Sequence, residues 1–131
     1  MTAKLIDLLN PRKEWDLSSI VDGRVGGVLT LGRDGAGSDI EVGDEIKMRI
    51  TKRLRNSDQR EQIPEATISR KHLEIKYQYD PEEDKGIFYV RDCGSTNGTN
   101  IMGIKITDWV PVRSGTIIRA GTYPLMLEYE S

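Results

Sequence analysis

Ser69, His72 and Asp92 are the residue types of a hydrolase nucleophile, base and orienting acid. A hydrolase serine of this kind is typically presented on a Gly-x-Ser-x-Gly turn, and the chain contains no such turn. The glycine-containing stretch 94–99 lacks the Gly-Lys-Ser/Thr of a nucleotide-phosphate loop. The stretch 35–37 lacks the third glycine and the following helix of a dinucleotide site. The sequence therefore favours a binding role for these polar residues over catalysis.

The same residues belong to three short segments whose order along the chain is more specific than any one of them. The segments are Gly32-Arg33, Ser69-Arg70-Lys71-His72 and Asp92-Cys93-Gly94-Ser95-Thr96-Asn97-Gly98-Thr99. Together they resemble the signature of the forkhead-associated (FHA) domain, a module that binds phosphothreonine in a partner protein. The resemblance covers about residues 24–129. It implies a phosphothreonine-dependent interaction module that reads phosphorylated partner proteins in signalling, and not an enzyme.

The resemblance implies five ligand-facing residues. Arg33 matches the family's phosphate-binding arginine, Ser69 matches the serine whose hydroxyl bonds a phosphate oxygen, and Arg70 takes the next position as a second phosphate contact. Thr96 and Asn97 match positions that face the ligand, with the asparagine bonding the partner's main chain. Guanidinium groups and hydroxyls suit a phosphate, which offers up to two negative charges and three acceptor oxygens. We therefore expect these five side chains to bind a threonine-phosphorylated protein or peptide.

A second set of residues is expected to support the site structurally. Gly32, Gly94 and Gly98 match backbone positions where φ is positive or space is tight. His72, the only histidine, matches a family residue that bonds loop backbone, so we expect it to hold the site's shape and not to transfer protons. One histidine and one cysteine, Cys93, cannot supply a zinc site of Cys and His ligands, and a single cysteine forms no internal disulfide. No cofactor or metal is expected.

The sequence pattern predicts that the elements that position these residues are β-strands. Short runs rich in β-branched and aromatic residues recur between turn residues, and in the run 73–79 apolar and polar residues alternate with a period of two. This pattern predicts an all-β, antiparallel sandwich, and the resemblance implies two sheets of about eleven strands. A sandwich gathers its loops at its ends, so the binding loops are expected at one end. The one stretch that could be helical is 13–20. The pattern predicts strands at 28–31, 73–79, 87–90, 116–119 and 124–129, and the resemblance implies further strands at 104–106 and 110–112.

Residues 43–62 depart from the family pattern as an inserted arm near the predicted site. Its basic part fits an added β-hairpin turning at 56–59, although Ile46, Ile50 and Leu54 also fit a helical stripe. The arm could extend the reading surface toward acidic residues of the target, or bind nucleic acid or an acidic partner. A solvated arm is the favoured interpretation. The five cations of the arm are Lys47, Arg49, Lys52, Arg53 and Arg55.

The length, net charge and N-terminal composition of the chain limit its domain number, its partners and its location. With 131 residues, the chain is expected to form one domain over 1–131. A formal net charge of -2 gives no overall attraction to nucleic acid or to an anionic membrane. The apolar stretch at the start is too short for a signal peptide or membrane span, so we expect an intracellular protein, cytoplasmic or nuclear. The alternative function is a phosphate-independent adaptor or self-association scaffold, and the sequence predicts no oligomeric state.

Overall fold

The computed structural model describes residues 2–10, 12–21, 27–43 and 64–130, and in these ranges eleven strands form two β-sheets. The two-sheet β-sandwich predicted from the sequence is confirmed. No helix within these ranges is long and apolar enough to span a membrane. In chain order the elements are β1 (Ala3–Asp7), β2 (Glu14–Asp16), α1 (Ser18–Val21), β3 (Val28–Arg33), β4 (Ile40–Val42), a 3₁₀ helix (Pro64–Thr67), β5 (Leu73–Asp80), β6 (Lys85–Asp92), β7 (Thr99–Ile101), β8 (Ile104–Ile106), β9 (Val110–Val112), β10 (Thr116–Ala120) and β11 (Tyr123–Tyr129).

The first sheet has six strands in the order β2-β1-β11-β10-β7-β8, all antiparallel. β1 lies along β11, with Ala3 opposite Tyr129 and Asp7 opposite Leu125. Just beyond these strands the backbone N–H of Glu130 donates to the carbonyl of Thr2 at 3.3 Å. The first and last described residues of the chain therefore lie side by side at one end of the sandwich.

The second sheet has five strands in the order β4-β3-β5-β6-β9. Its centre is the hairpin of β5 and β6, in which Leu73 lies opposite Asp92 and Asp80 opposite Lys85. β3 pairs antiparallel with β5, whereas β4 pairs parallel with β3. This parallel pair is the one departure from antiparallel order in the described part of the sheets.

The core lies between the two sheets and follows the alternation of the strands. In β5, Leu73 and Ile75 are fully buried, as the alternating pattern predicts, but Tyr79 is 52% exposed. The reason is that β3 pairs with β5 only as far as Lys76, so the outer part of the β5–β6 hairpin extends beyond its neighbour. Each fully buried aliphatic or aromatic side chain contributes about 1.5–3 kcal/mol. Buried side chains from both sheets include Leu5, Leu31, Phe88, Val90, Ile118, Leu125 and Leu127.

The stretch 13–20, which the sequence allowed as a helix, is helical only at its end. Glu14–Asp16 is a strand, and the helix spans Ser18–Val21. The strand forms because Glu14–Asp16 finds backbone partners in β1, with Lys4 opposite Asp16, and such non-local pairing overrides a weak local preference. The Asp16 carboxylate then accepts the N–H of Ser18 at 2.9 Å, which caps the short helix.

The predicted inserted arm, residues 43–62, falls almost wholly outside the described residues. Gly43 follows β4, and the description resumes at Pro64 in the 3₁₀ helix. The predicted hairpin with its turn at 56–59, and the five cations of the arm, lie outside the described residues. They remain predictions.

Candidate functional site

The three sequence segments meet at one end of the sandwich. Arg33 is the last residue of β3, residues 68–72 lead into β5, and residues 93–98 join β6 to β7. They surround a shallow depression with a volume of about 380 Å³. All five side chains that were predicted to face a ligand line it, together with two apolar residues of the segment before β5. The lining residues are Arg33, Ala66, Ile68, Ser69, Arg70, Thr96 and Asn97.

The segment 68–72 is held against the end of β3 by backbone contacts. The Arg33 N–H donates to the Ser69 carbonyl at 3.0 Å, and the His72 N–H donates to the Leu31 carbonyl at 2.8 Å. Between these two bonds a Cβ added at Gly32 would lie 1.7 Å from the Arg70 carbonyl oxygen. Only glycine therefore allows the two backbones to approach this closely.

The hydroxyl of Ser38, in the loop after β3, donates to the same Arg70 carbonyl at 2.9 Å. This bond fixes the main chain from which the Arg70 side chain extends. Sequence reasoning did not identify Ser38 as part of the site. Its only local signal is a serine in a glycine-containing loop, which is common in turns.

His72 connects two loops of the site. Its ring is fully buried, Nδ1 accepts the Ser69 N–H at 3.0 Å, and Nε2 lies 2.8 Å from the Gly98 carbonyl. The first bond requires Nδ1 to be unprotonated, so the ring is neutral and donates from Nε2. Burial holds the pKa of His72 below its ordinary value, although the Gly98 bond and the Asp92 charge act in the opposite direction. A shift of this kind keeps the neutral form dominant.

The loop 93–98 is organised by Asp92. Its carboxylate accepts the Ser95 N–H, the Ser95 hydroxyl and the Thr99 hydroxyl, and the Ser95 hydroxyl in turn accepts the Gly98 N–H at 2.9 Å. Burial alone would raise the pKa of Asp92, but these hydrogen bonds hold it below its ordinary value. Gly94 and Gly98 have φ of 72° and 81°, so each adopts the left-handed conformation that favours glycine.

The ligand-facing residues of this loop are themselves anchored. The Thr96 N–H donates to the Ser69 hydroxyl oxygen at 3.0 Å, which leaves the serine O–H free to rotate and donate. The Asn97 side-chain amide donates to the Thr67 carbonyl at 3.1 Å, so its carbonyl oxygen and second N–H remain available. Thr67 ends the 3₁₀ helix, and its hydroxyl accepts the Thr122 N–H at 2.9 Å. No pattern in the sequence indicated that a 3₁₀ helix would support Asn97.

Ser69 and His72 do not form a nucleophile–base pair. His72 Nδ1 accepts the backbone N–H of Ser69, not its hydroxyl, and His72 Nε2 is bonded to the Gly98 carbonyl. The Asp92 carboxylate is bonded to Ser95 and Thr99. Ser69, His72 and Asp92 are therefore close in space but are not connected as a hydrolase triad would require.

Comparison with known protein families identifies the family to which this chain belongs. The model of the FHA domain family matches residues 53–121, which is more than half of the 131 residues. This chain is a member of the FHA domain family. A search of curated protein sequences found no match.

Solved FHA structures share the fold of this FHA domain. The FHA domain of CT664 protein from Chlamydia trachomatis is 21% identical, with a TM-score of 0.66 and 100% of both chains covered. The MEK1 FHA domain in complex with the HOP1 pThr318 peptide is 17% identical, with a TM-score of 0.62, and the match covers 98% of this chain and 97% of that one. A third solved structure, from work on phosphothreonine-dependent FHA domain interactions, is 18% identical, with a TM-score of 0.64, and the match covers 100% of this chain and 99% of that one.

The depression of this FHA domain is cationic and partly apolar. Within the described ranges, neither the Arg33 nor the Arg70 guanidinium has a hydrogen bond or an ion pair with another residue. Ala66 adds a partly exposed apolar surface beside them, and Ile68, which is 2% exposed, packs beneath it. Two guanidinium groups, a hydroxyl and a side-chain amide around one shallow depression can bind an oxyanion attached to a peptide.

Proposed function

We propose that this FHA domain binds a threonine-phosphorylated segment of a partner protein in the depression and so reads phosphorylation in signalling. The observation that carries the proposal is the convergence of Arg33 and Arg70, whose guanidinium groups have no partner among the described residues, with the Ser69 hydroxyl in one depression. The MEK1 FHA domain in complex with a pThr peptide has the same fold and supports it. As an interaction module, the domain is not expected to turn over substrates.

Each lining residue has a distinct role in this proposal. The Arg33 and Arg70 guanidinium groups bind phosphate oxygens, and the Ser69 hydroxyl donates a further bond. The threonine γ-methyl packs against Ala66 and Ile68. The free amide oxygen of Asn97 accepts a backbone N–H of the partner, which holds an extended peptide whatever its side chain at that point.

Titration of one peptide in its phosphorylated and unmodified forms tests the proposal. Only the phosphorylated form is expected to bind, and Arg33→Ala should weaken it by about 2–5 kcal/mol, the usual loss when one member of a close charge pair is removed. The matched control is Arg12→Ala, which removes an exposed cation outside the depression and should leave affinity unchanged. Equal titration curves for both peptide forms would contradict the proposal and favour a phosphate-independent adaptor or a self-association scaffold.

A further inference from the structure

A second depression lies at the opposite end of the sandwich from the phosphate site. β7 leaves the 93–98 loop and runs to the turn after Ile101, and β10 begins at Thr116 and ends beside Gly98, where the Gly121 N–H bonds the Gly98 carbonyl at 2.8 Å. Between the β7–β8 turn and the β9–β10 turn, on the outer side of β10, is a depression of about 890 Å³. We call it the β10 groove. Its chemically distinctive lining residues are Met102, Arg113, Ile117 and Arg119.

Two exposed apolar side chains line this groove. Met102 is 83% exposed and Ile117 is 41% exposed, and these are two of the five large exposed hydrophobic residues in the described part of the chain. Met102 has a φ of 53°, in a two-residue turn where Asn, Asp or Gly is favoured. The turn therefore gives no reason for a methionine here. A flexible thioether side chain suits an adaptable contact surface.

The charge of the groove is positive, in contrast to the chain as a whole. Arg113 and Arg119 line it, no acidic side chain does, and neither guanidinium group has an ion pair or hydrogen bond with another described residue. The formal net charge of the chain is -2. An occupant that covers the apolar residues and neutralises both cations must itself combine apolar and acidic side chains.

We propose that the β10 groove docks a phosphate-free segment of a partner protein that contains both acidic and aliphatic residues. In an extended segment residues two apart lie on the same face, so aliphatic side chains on that face can cover Met102 and Ile117 while carboxylates on the same face reach Arg113 and Arg119. The proposal does not depend on the phosphate site. Because the two sites lie at opposite ends, both can be occupied at once.

The surface beside the groove gives the docked segment a direction. A neighbouring depression shares Ser114 and Gly115 with the groove but is lined by four carboxylates and one cation, Lys4, which pairs with two of them. The four carboxylates are Glu14, Asp16, Glu128 and Glu130. Their excess negative charge repels an acidic segment. The segment is therefore expected to leave the groove toward the β7–β8 turn and away from β11.

An array of short unphosphorylated peptides, in which the numbers of Glu and Leu are varied independently, tests this proposal on the full chain. The amount of protein that each peptide retains is expected to rise with the number of Glu and with the number of Leu residues, and to fall with added salt. Peptides made of Lys and Leu should not retain the protein. Amide NMR shifts caused by the best Glu/Leu peptide should concentrate at residues 100–103 and 113–119. Failure of every Glu/Leu peptide to bind, equal retention of Lys/Leu peptides, or shifts confined to the phosphate site would each overturn the proposal.

Two variants separate the charged and apolar contributions. Arg113→Glu with Arg119→Glu should weaken Glu/Leu binding about tenfold or more, because like charges then face each other. Met102→Asn suits the left-handed turn and should reduce the dependence on Leu. The matched control, Arg12→Glu with Lys85→Glu, makes the same charge change at exposed residues outside the groove and should bind as the parent does. Loss of binding in that control too, or concentration-dependent self-association abolished by Met102→Asn, would contradict a dedicated partner site.

Discussion

Gly32→Ala is expected to damage the phosphate site through the backbone, although Gly32 contacts no ligand in the proposal. The added Cβ would lie 1.7 Å from the Arg70 carbonyl oxygen, whereas real Cβ contacts essentially never fall below 3.0 Å. The two backbones must therefore separate by about 1.3 Å, the difference between these distances. The neighbouring bonds from Arg33 to Ser69 and from His72 to Leu31, at 3.0 Å and 2.8 Å, cannot survive such a separation.

The expected loss of stability can be estimated from the clash and from the two broken hydrogen bonds. Overpacking of a close contact costs about 1–3 kcal/mol, and each backbone hydrogen bond contributes about 0.5–1.5 kcal/mol. We therefore expect Gly32→Ala to lower the free energy of unfolding by about 2–4 kcal/mol, a large part of the roughly 5–15 kcal/mol typical of a domain. Denaturant unfolding measures this loss, and peptide titration of the folded fraction should show weaker phosphopeptide binding because Arg70 is displaced.

Gly115→Ala is the matched control for Gly32→Ala. Gly115, in the turn before β10, has a φ of 85°, and nothing lies within 4 Å of an added Cβ, so the change introduces backbone strain without a clash and away from the phosphate depression. It should cost about 1–2 kcal/mol in stability and leave phosphopeptide affinity unchanged. If Gly32→Ala is as stable as the parent and binds equally well, the close approach of β3 and the Arg70 main chain does not position the site.

Three further outcomes test other parts of the site. Asn97→Ala should weaken phosphopeptide binding by at least about 1–3 kcal/mol, and loss of its bond to Thr67 should lower stability by only about 0.5–1.5 kcal/mol; a variant that binds normally would limit Asn97 to holding the loop. Phosphothreonine should be preferred to phosphoserine by about 1–3 kcal/mol in paired titrations, and equal affinities would show that Ala66 and Ile68 do not pack on the γ-methyl. Because burial holds the pKa of His72 below the ordinary 6.5, the unfolded chain binds a proton first as the pH falls. The free energy of unfolding should therefore be steady above about pH 6.5 and begin to decline just below it. Denaturant titrations should show that in His72→Gln the decline begins only at the lower pH where carboxylates such as Asp92 bind protons.

Strands were predictable from the sequence where apolar and polar residues alternate along them. A strand was missed where its burial depends on a residue far away in sequence. The run 73–79 alternates clearly and is confirmed as β5. β1 was not predicted, because its alternation of Ala3, Leu5 and Asp7 ends in a charged residue that is nonetheless buried. The structure explains this burial, since the Tyr123 hydroxyl, far away in sequence, donates to the Asp7 carboxylate at 2.7 and 2.8 Å. A local sequence pattern does not show that Asp7 has a hydrogen-bond partner so far away in the chain.

The site residues were predictable as a set, but their supports were not. The resemblance named the five side chains that line the depression, because their types and order carry the family signature. Ser38, Thr67 and the precise bonding of Asp92 were not identified as supports, because each acts on backbone atoms of a segment distant in sequence or within a tight loop. Such contacts depend on how the loops pack and leave no sequence pattern of their own.

The side-by-side pairing of β1 with β11 makes the domain suitable for circular permutation. The Glu130 N–H and the Thr2 carbonyl are only 3.3 Å apart, so a short linker can join them without crossing the sheet. New termini opened in the exposed turn 81–84, at the tip of the β5–β6 hairpin, would interrupt none of the loops around Arg33. A reporter protein inserted at that turn would therefore sit on the far side of the molecule from the phosphate depression, which suits the domain to a genetically encoded sensor.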